Sequence, residues 1–314
     1  KTEQLNIATS TERLEVNDVQ LTPQNSQQNA FSGSLKFGET IKSYTVEKLI
    51  SAQTGEAEIF LAKKNNEYAI IKYYHPQFQP KEDLIVKFHN LKHPDIITLF
   101  EYGVYNGRFF EIMEYAAGGT LSDKKSDGSY KYVPMSESAV IQIIKEATNG
   151  FNYLHKEGII HRDIKPGNLF YKNSDGSDLL IGDFGISSEL DVEGGMSKRM
   201  TSTFSRTTGY AAPELYGIAK DDNKIKMLIG PEVDYYALGI TVFELLTASN
   251  PFIGRADTHI MRDTIEGRVA DDLLSRNEAK NFSVRIKNLI QGLLTVRHDK
   301  RWGYNEVSKW LNGE

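Results

Sequence analysis

Around Ala116-Ala117-Gly118-Gly119 the chain changes texture, and that change restricts the available folds more than any other feature. Upstream, SYTVEKLI (43–50), EAEIFLAKK (56–64), NEYAIIKYY (66–74) and FFEIMEY (109–115) are short β-branched and aromatic runs. Turn residues such as Gly55 and Asn65-Asn66 separate them, and one helix is predicted near 81–91. Downstream, Val140, Ile144, Ala147, Phe151 and Leu154 recur at helical spacing behind a capping Ser136. Val284, Ile286, Leu289, Ile290, Leu293 and Leu294 mark a second amphipathic helix, and YYALGITVFELL (235–246) is apolar on every side, like a helix at the centre of a domain. A short buried strand, Leu179-Leu180-Ile181, follows the turn NSDGSD (173–178). The pattern predicts an α+β chain in two lobes. A small β-rich N-lobe (about 43–115) carries one helix, a glycine hinge follows, and a larger, mainly helical C-lobe covers about 118–312. Ligand clefts favour such junctions.

Residues 1–42 differ, being rich in Gln, Asn, Ser and Thr with isolated apolar residues, and read as a disordered or linker tail. A helix over part of 4–20 is the one element their pattern allows. A net charge of -5 without a long Lys/Arg run argues against a nucleic-acid partner. The absence of cysteine excludes a disulfide framework and a thiolate metal site. No apolar run is long enough for a membrane span. The chain opens on Lys1 rather than Met, as a piece cut from something longer would. The expected setting is the cytoplasm, alone or as the cytoplasmic domain of a larger protein.

The stretch GIIHRDIKPGNLF (158–170) fits neither a strand nor a helix period. Pro166 and Gly167 make it a loop, with Asp163, Lys165 and Asn168 held between apolar anchors. A second carboxylate, Asp183 in IGDFGIS, projects from the end of a buried strand. Asn168 and Asp183 form a hard oxygen-ligand pair suited to a magnesium ion that keeps waters and shares substrate phosphates. Asp163 is then free to orient or deprotonate a hydroxyl, and Lys165 to offset charge on a transferring phosphoryl group. Singly, each of these is more often a turn or surface residue; jointly, HxDxKxxN followed by DFG is not.

These motifs resemble those of the Hanks-type (eukaryotic-like) serine/threonine protein kinases, from about residue 44 to 311. The resemblance implies the bilobal protein kinase fold, with ATP in the cleft and Mg2+, or Mn2+ in its place, as the metal. HRDxxxxN makes Asp163 the substrate-orienting base and Asn168 a metal ligand, and DFG makes Asp183 the main metal ligand. Lys72 in AIIKYY resembles the lysine that holds the α- and β-phosphates. In MEYAAGGTL, Met113 stands at the gatekeeper position, and the backbone of Glu114 and Ala116 faces the adenine. Ile50, Ile59, Ile70 and Phe170 complete the nucleotide surroundings. HPDI (93–96) resembles the turn after the N-lobe helix. Ala212-Pro213-Glu214 resembles the APE motif, whose glutamate would pair with Arg301, and Asp234 in DYYALG would tie down the catalytic loop. The lysine in DIKPGN and Thr207 before Tyr210 mark the serine/threonine class, and the DIKPGN wording resembles bacterial members.

Three departures stand out. The GxGxxG positions fall on Ala52, Thr54 and Ala57, leaving only Gly55, so weaker nucleotide binding is expected. The helix glutamate that should pair with Lys72 falls in register on Leu84; Glu82 is the candidate substitute, against its reading as a solvated helix-start residue. Ile70 stands where the family commonly has alanine, and Ala69 leaves a one-residue slip open. Arg162 precedes Asp163, as in members switched by phosphorylation. Within 186–211 Thr203 is the first candidate, then Thr201, Ser202 and Ser205, because a phosphate there would bond an arginine and order the loop. The implied partners are proteins bearing Ser/Thr, with self-association for autophosphorylation also in scope. The alternative is a pseudokinase scaffold; a small-molecule phosphotransferase is opposed by the complete APE segment.

Overall fold

The computed structural model describes residues 33–52, 55–78, 80, 82–122, 133–184, 188–189, 208–216 and 229–314. The β-like runs of the first part form one twisted antiparallel sheet. In chain order its strands are β1 (Thr40–Ile41), β2 (Tyr44–Ser51), β3 (Ala57–Lys64), β4 (Glu67–Tyr74), β5 (Leu99–Tyr105) and β6 (Arg108–Glu114), with spatial order β1-β2-β3-β4-β6-β5. Helix α1 (Glu82–Asn90) lies between β4 and β5 in the chain. Alternation assigns the two faces. Ala69, Ile71 and Tyr73 of β4 join Val46, Phe60, Phe110 and Ile112 in a core on the outer face. The alternate positions, Ile70, Lys72 and Tyr74, therefore face the other way. This closes the one-residue question left by the sequence: Ile70, not Ala69, shares a face with Lys72.

The ordered lobe starts upstream of the boundary near 42. Leu35 and Ile41 are 1% exposed in the outer core. The Ser34 amide donates to Glu58 (2.9 Å), and Arg108 donates to the same carboxylate (2.9 Å) and to the Tyr74 carbonyl (2.6 Å). Residues 33–41 thus lie over apolar sheet surface that would otherwise meet water, so this part of the expected tail belongs to the lobe. The proposed helix within 4–20 lies outside the described residues.

The remaining strands are short: β7 (Gly119–Thr120), β8 (Ile159–Ile160), β9 (Leu169–Tyr171), β10 (Leu179–Ile181) and β11 (Ser188–Glu189), paired as β10-β9-β7 and β11-β8. The helices are α2 (Glu137–Lys156), α3 (Glu232–Thr247), α4 (Asp257–Ile265), α5 (Val269–Ser275), α6 (Val284–Leu293) and α7 (Tyr304–Asn312). Ser136 caps α2, its hydroxyl accepting from the Ala139 amide at 3.2 Å, a contact worth about 1 kcal/mol. Helix α3 is buried on all sides from Val233 to Leu246 and packs against α2 and α6. A Leu→Ala change there would cost about 2–5 kcal/mol.

The glycine stretch between the lobes is not the flexible hinge its composition suggests. Ala117 and Gly118 donate to the carbonyls of Lys172 (2.9 Å) and Tyr171 (3.0 Å). A Cβ on Gly118 would stand 2.4 Å from the Asn173 carbonyl oxygen, and Gly119 has φ +72°. Glycine is required there by close approach and backbone angle. A second seam joins the HPDI turn to β10: Ile181 donates to the Asp95 carbonyl and Ile97 to that of Ile181, both at 2.9 Å. Among the described residues no helix is long and apolar enough to cross a membrane.

Candidate active site

The loop 161–168 is held from both ends and from beneath. Ile159, Ile160, Ile164 and Leu169 are fully buried, so their side chains anchor the backbone, while Arg162, Asp163 and Lys165 between them are half-buried. Asp234, at the start of α3, is also fully buried. It accepts from the Arg162 amide (2.7 Å), the His161 amide (3.0 Å) and His155 Nε2 (2.8 Å). Burial works to raise its pKa, but these donors hold it below the ordinary aspartate range. Arg162 and Asp183 both adopt left-handed backbone, φ +70° and +59°, which non-glycine residues keep only where their surroundings over-determine it.

Asp163, Lys165 and Asn168 form one contact group. Lys165 Nζ lies 2.8 Å from Asp163 Oδ2, and Asn168 Nδ2 donates to that oxygen and to the Asp163 carbonyl, both at 2.7 Å. Asn168 is fully buried, yet among the described residues its Oδ1 has no hydrogen-bond partner. An unsatisfied buried oxygen is costly unless something fills the place. Together with the Asp183 carboxylate it forms an oxygen donor pair that fits a hard divalent cation. Asp183 Oδ1 accepts from Lys72 Nζ at 2.9 Å. That ammonium, above all, holds the Asp183 pKa down at about 2. Burial would lower the Lys72 pKa, but the acids around it, Asp183 foremost, keep it well above the usual lysine value.

The surroundings of Lys72 in the small lobe are built on β3, β4 and β6. Ile59 and Glu111 flank Lys72 as direct cross-strand neighbours, and Ile70 pairs with Met113. Ile50, Ile59, Ile70, Met113 and Phe170 are all half-buried, giving apolar surface. At the chain crossing, the Glu114 amide is taken by the Thr98 carbonyl (2.9 Å). Among the described residues the N–H of buried Ala116 meets no acceptor. Gly55 is exposed, and a Cβ there would touch nothing, so neither backbone angle nor contact demands glycine at that turn.

Glu82 is not the partner of Lys72. It is the first residue of α1 and exposed, while Leu84, Ile85 and Phe88 are the buried residues of that helix. The helix begins so late that its acids sit in the first turn beside the positive end of the dipole. Phe88 instead packs against Phe184 (4.6 Å between centroids), which in turn meets His161 (5.0 Å), joining helix α1 to the loop 161–168 and to the segment that carries Asp183. The other carboxylates around Lys72 are Glu56, at 4.0 Å, and buried Glu111. Sequence reading missed both. The available signal for Glu111 was the alternation of FFEIMEY, which puts an acid between Phe109 and Met113 on one face.

Arg301 makes the bidentate pair with Glu214, at 2.6 and 2.9 Å, and also donates to the carbonyls of Thr295, Val296 and Glu232. Breaking such a buried pair from one side costs about 3–5 kcal/mol. Arg162 is half-buried, and among the described residues its Nε has no partner. Thr54, Gly185, Thr201, Ser202, Thr203, Ser205 and Thr207 lie outside the described residues.

Comparison with known proteins adds three findings. The family model described as "Protein kinase domain" matches residues 45–311. A calcium/calmodulin-dependent protein kinase, cmkA, of Emericella nidulans is 29% identical over 284 residues, covering 89% of this chain and 62% of that protein. Serine/threonine-protein kinase PknJ of Mycobacterium tuberculosis is 28% identical over 235 residues, covering 71% of this chain and 37% of its own length. The chain therefore spans less than two thirds of either relative.

Proposed function

Because the chain belongs to the protein kinase domain family, we propose that it transfers the γ-phosphoryl group of ATP to serine or threonine hydroxyls of protein substrates. The observation that carries this reading is the convergence of Lys72, Asp163, Lys165, Asn168 and Asp183, with the Asn168 oxygen left unpartnered. Asn168 Oδ1 and the Asp183 carboxylate would hold the divalent cation, magnesium in the first instance. The cation supplies charge neutralisation on the phosphates.

Lys72 binds the α- and β-phosphates. Ile50, Ile59, Ile70, Met113 and Phe170 exclude water around the base, and the Ala116 N–H and the Glu114 carbonyl orient it. Asp163 aligns the substrate hydroxyl and takes its proton on the carboxylate, while Lys165 offsets the charge that builds on the transferring group. Glu214 with Arg301 keeps the end of the substrate-binding segment in place.

Arg162 is the group to which a phosphate on Thr203, or on Thr201, Ser202 or Ser205, would bond. Its buried, unpartnered Nε supports that role. Self-association for autophosphorylation and a cytoplasmic setting, where ATP is available, follow from the same reading. A non-catalytic scaffold accounts less well for the site, since every group the transfer needs is retained and in contact.

Incubation with labelled Mg-ATP and a generic protein substrate, beside Asp183→Asn, tests the proposal. Label transfer by the wild type that vanishes in the variant is expected; no transfer together with no nucleotide-induced thermal shift would sink it. Mass spectrometry of the active protein should find phosphate within 197–205.

A further inference from the structure

Glu111 is a buried acid that the mechanism above does not use. Its residue is 9% exposed, on β6, directly across from Lys72 on β4. Direct neighbours in an antiparallel sheet share a face, with Cβ atoms about 4.5–5.5 Å apart. Its Oε1 accepts from the Tyr74 hydroxyl at 3.0 Å. Tyr74, two residues beyond Lys72 on the same strand, is itself buried, and its ring centroid lies 5.1 Å from Lys72 Nζ. The three side chains are therefore one unit, anchored on two paired strands of a rigid sheet.

A carboxylate removed from water needs a compensating charge, and a single neutral hydroxyl does not supply one. In the structure the lysine's ion pair is with Asp183. Asp183 is also the proposed cation ligand, and once its charge is spent there Lys72 needs another acid to hold it against the phosphates. Helix α1 cannot supply it, since Glu82 and Asp83 are exposed in its first turn. Glu56 stands 36% exposed at 4.0 Å, where water screens it.

We propose that Glu111, oriented by Tyr74, is the positioning carboxylate of Lys72, so that the small lobe holds its phosphate-binding lysine from within the sheet instead of from a helix. This rests on the kinase reading of the site. One consequence is mechanical. A lysine held by a neighbouring strand stays in place whether or not helix α1 moves, so movement of that helix does not switch the lysine on and off. Burial foremost raises the Glu111 pKa, and Lys72 and the Tyr74 hydroxyl offset that rise only in part.

The alternative is a purely structural Tyr–Glu hydrogen bond, and Glu111→Gln separates the two. Glutamine keeps the size and can still accept from Tyr74, but cannot compensate an ammonium. The expected result is an unchanged melting temperature, a KM for ATP raised about 10-fold and a kcat lowered about 10- to 100-fold. Calorimetric titration with ADP in a chelator, free of metal, should show affinity lowered by about 10-fold. Tyr74→Phe, which keeps the ring beside Lys72, should raise the KM for ATP by about threefold. It decides the matter if Glu111→Gln does not fold.

Wild-type kcat/KM and ADP affinity in Glu111→Gln would overturn the proposal, as would loss of activity in Glu82→Gln with Glu111→Gln intact. The wild type assayed beside Asp183→Asn reports separately on the kinase reading. An active wild type with an indifferent Glu111→Gln removes this inference alone. An inactive wild type removes that reading, and the metal-free titration still decides whether Glu111 supports Lys72.

Discussion

In the large lobe, Asp163, Lys165 and Asn168 stand on a loop tied down by buried anchors and by Asp234, and they keep the family pattern residue for residue. In the small lobe Lys72 is kept, but its surroundings are not: alanine stands at glycine positions, Leu84 at the helix acid, and Glu111 enters from β6. The contrast follows from what each lobe must do. The proposed proton acceptance and metal ligation need particular atoms in one geometry, which few side chains supply. Holding a lysine and covering phosphates is a matter of charge and shape, which several arrangements of a sheet can provide.

That contrast can be broken or sharpened by three measurements. The largest effect is expected in the large lobe. Asp163→Asn keeps the volume and the contact with Asn168 but removes the base, so kcat should fall about 10³-fold with little change in melting temperature. A loss below tenfold would mean that the large lobe tolerates substitution as the small one does.

The next effect lies at the seam between the lobes. Burial, with Glu146 and Asp178 nearby and only partly offset by Lys172, raises the Asp95 pKa to about 6. Burial also lowers that of His93, 3.7 Å away, so at neutral pH the two do not form an ion pair of full strength. A carboxyl whose folded pKa is raised contributes stability below its unfolded value, near 4. That contribution is lost as pH rises through about 6. Asp95→Asn should therefore match the wild type in stability near pH 4 and exceed it above pH 7, by about 1 kcal/mol after allowance for partial exposure. Thermal melts across pH 4–8 check this; a constant difference would refute the assignment.

The smallest effect is expected in the small lobe. Ala52→Gly restores one glycine of the phosphate loop, yet the KM for ATP should fall by less than about threefold, since most phosphate charge is met by Lys72 and the cation. A tenfold gain would show that the loop, not the charge, limits binding.

Much of the architecture was legible in the sequence because it is periodic. The β-like runs returned as β2, β3, β4 and β6 within a residue or two, and the capped helix behind Ser136 returned as α2. What escaped was set by contacts distant in sequence. The ordering of residues 33–41 depends on Glu58, Arg108 and an apolar sheet face, none visible from a short stretch with isolated apolar residues. β5, LFEYGVY, is an edge strand that depends on β6 for its pairing. The reading of Glu82 failed because one-dimensional spacing shows which acids are near, not which are buried.

From the sequence alone came the chemistry. HRDIKPGN and DFG name the atoms proposed to bind a cation and accept a proton, because those demands admit few residue types at few spacings. The tertiary structure decided which acids surround the lysine. It placed Glu111 and Tyr74 beside Lys72 and the helix acids in water, because strand pairing and burial, which determine where a charge is stable, exist only once the sheet has formed.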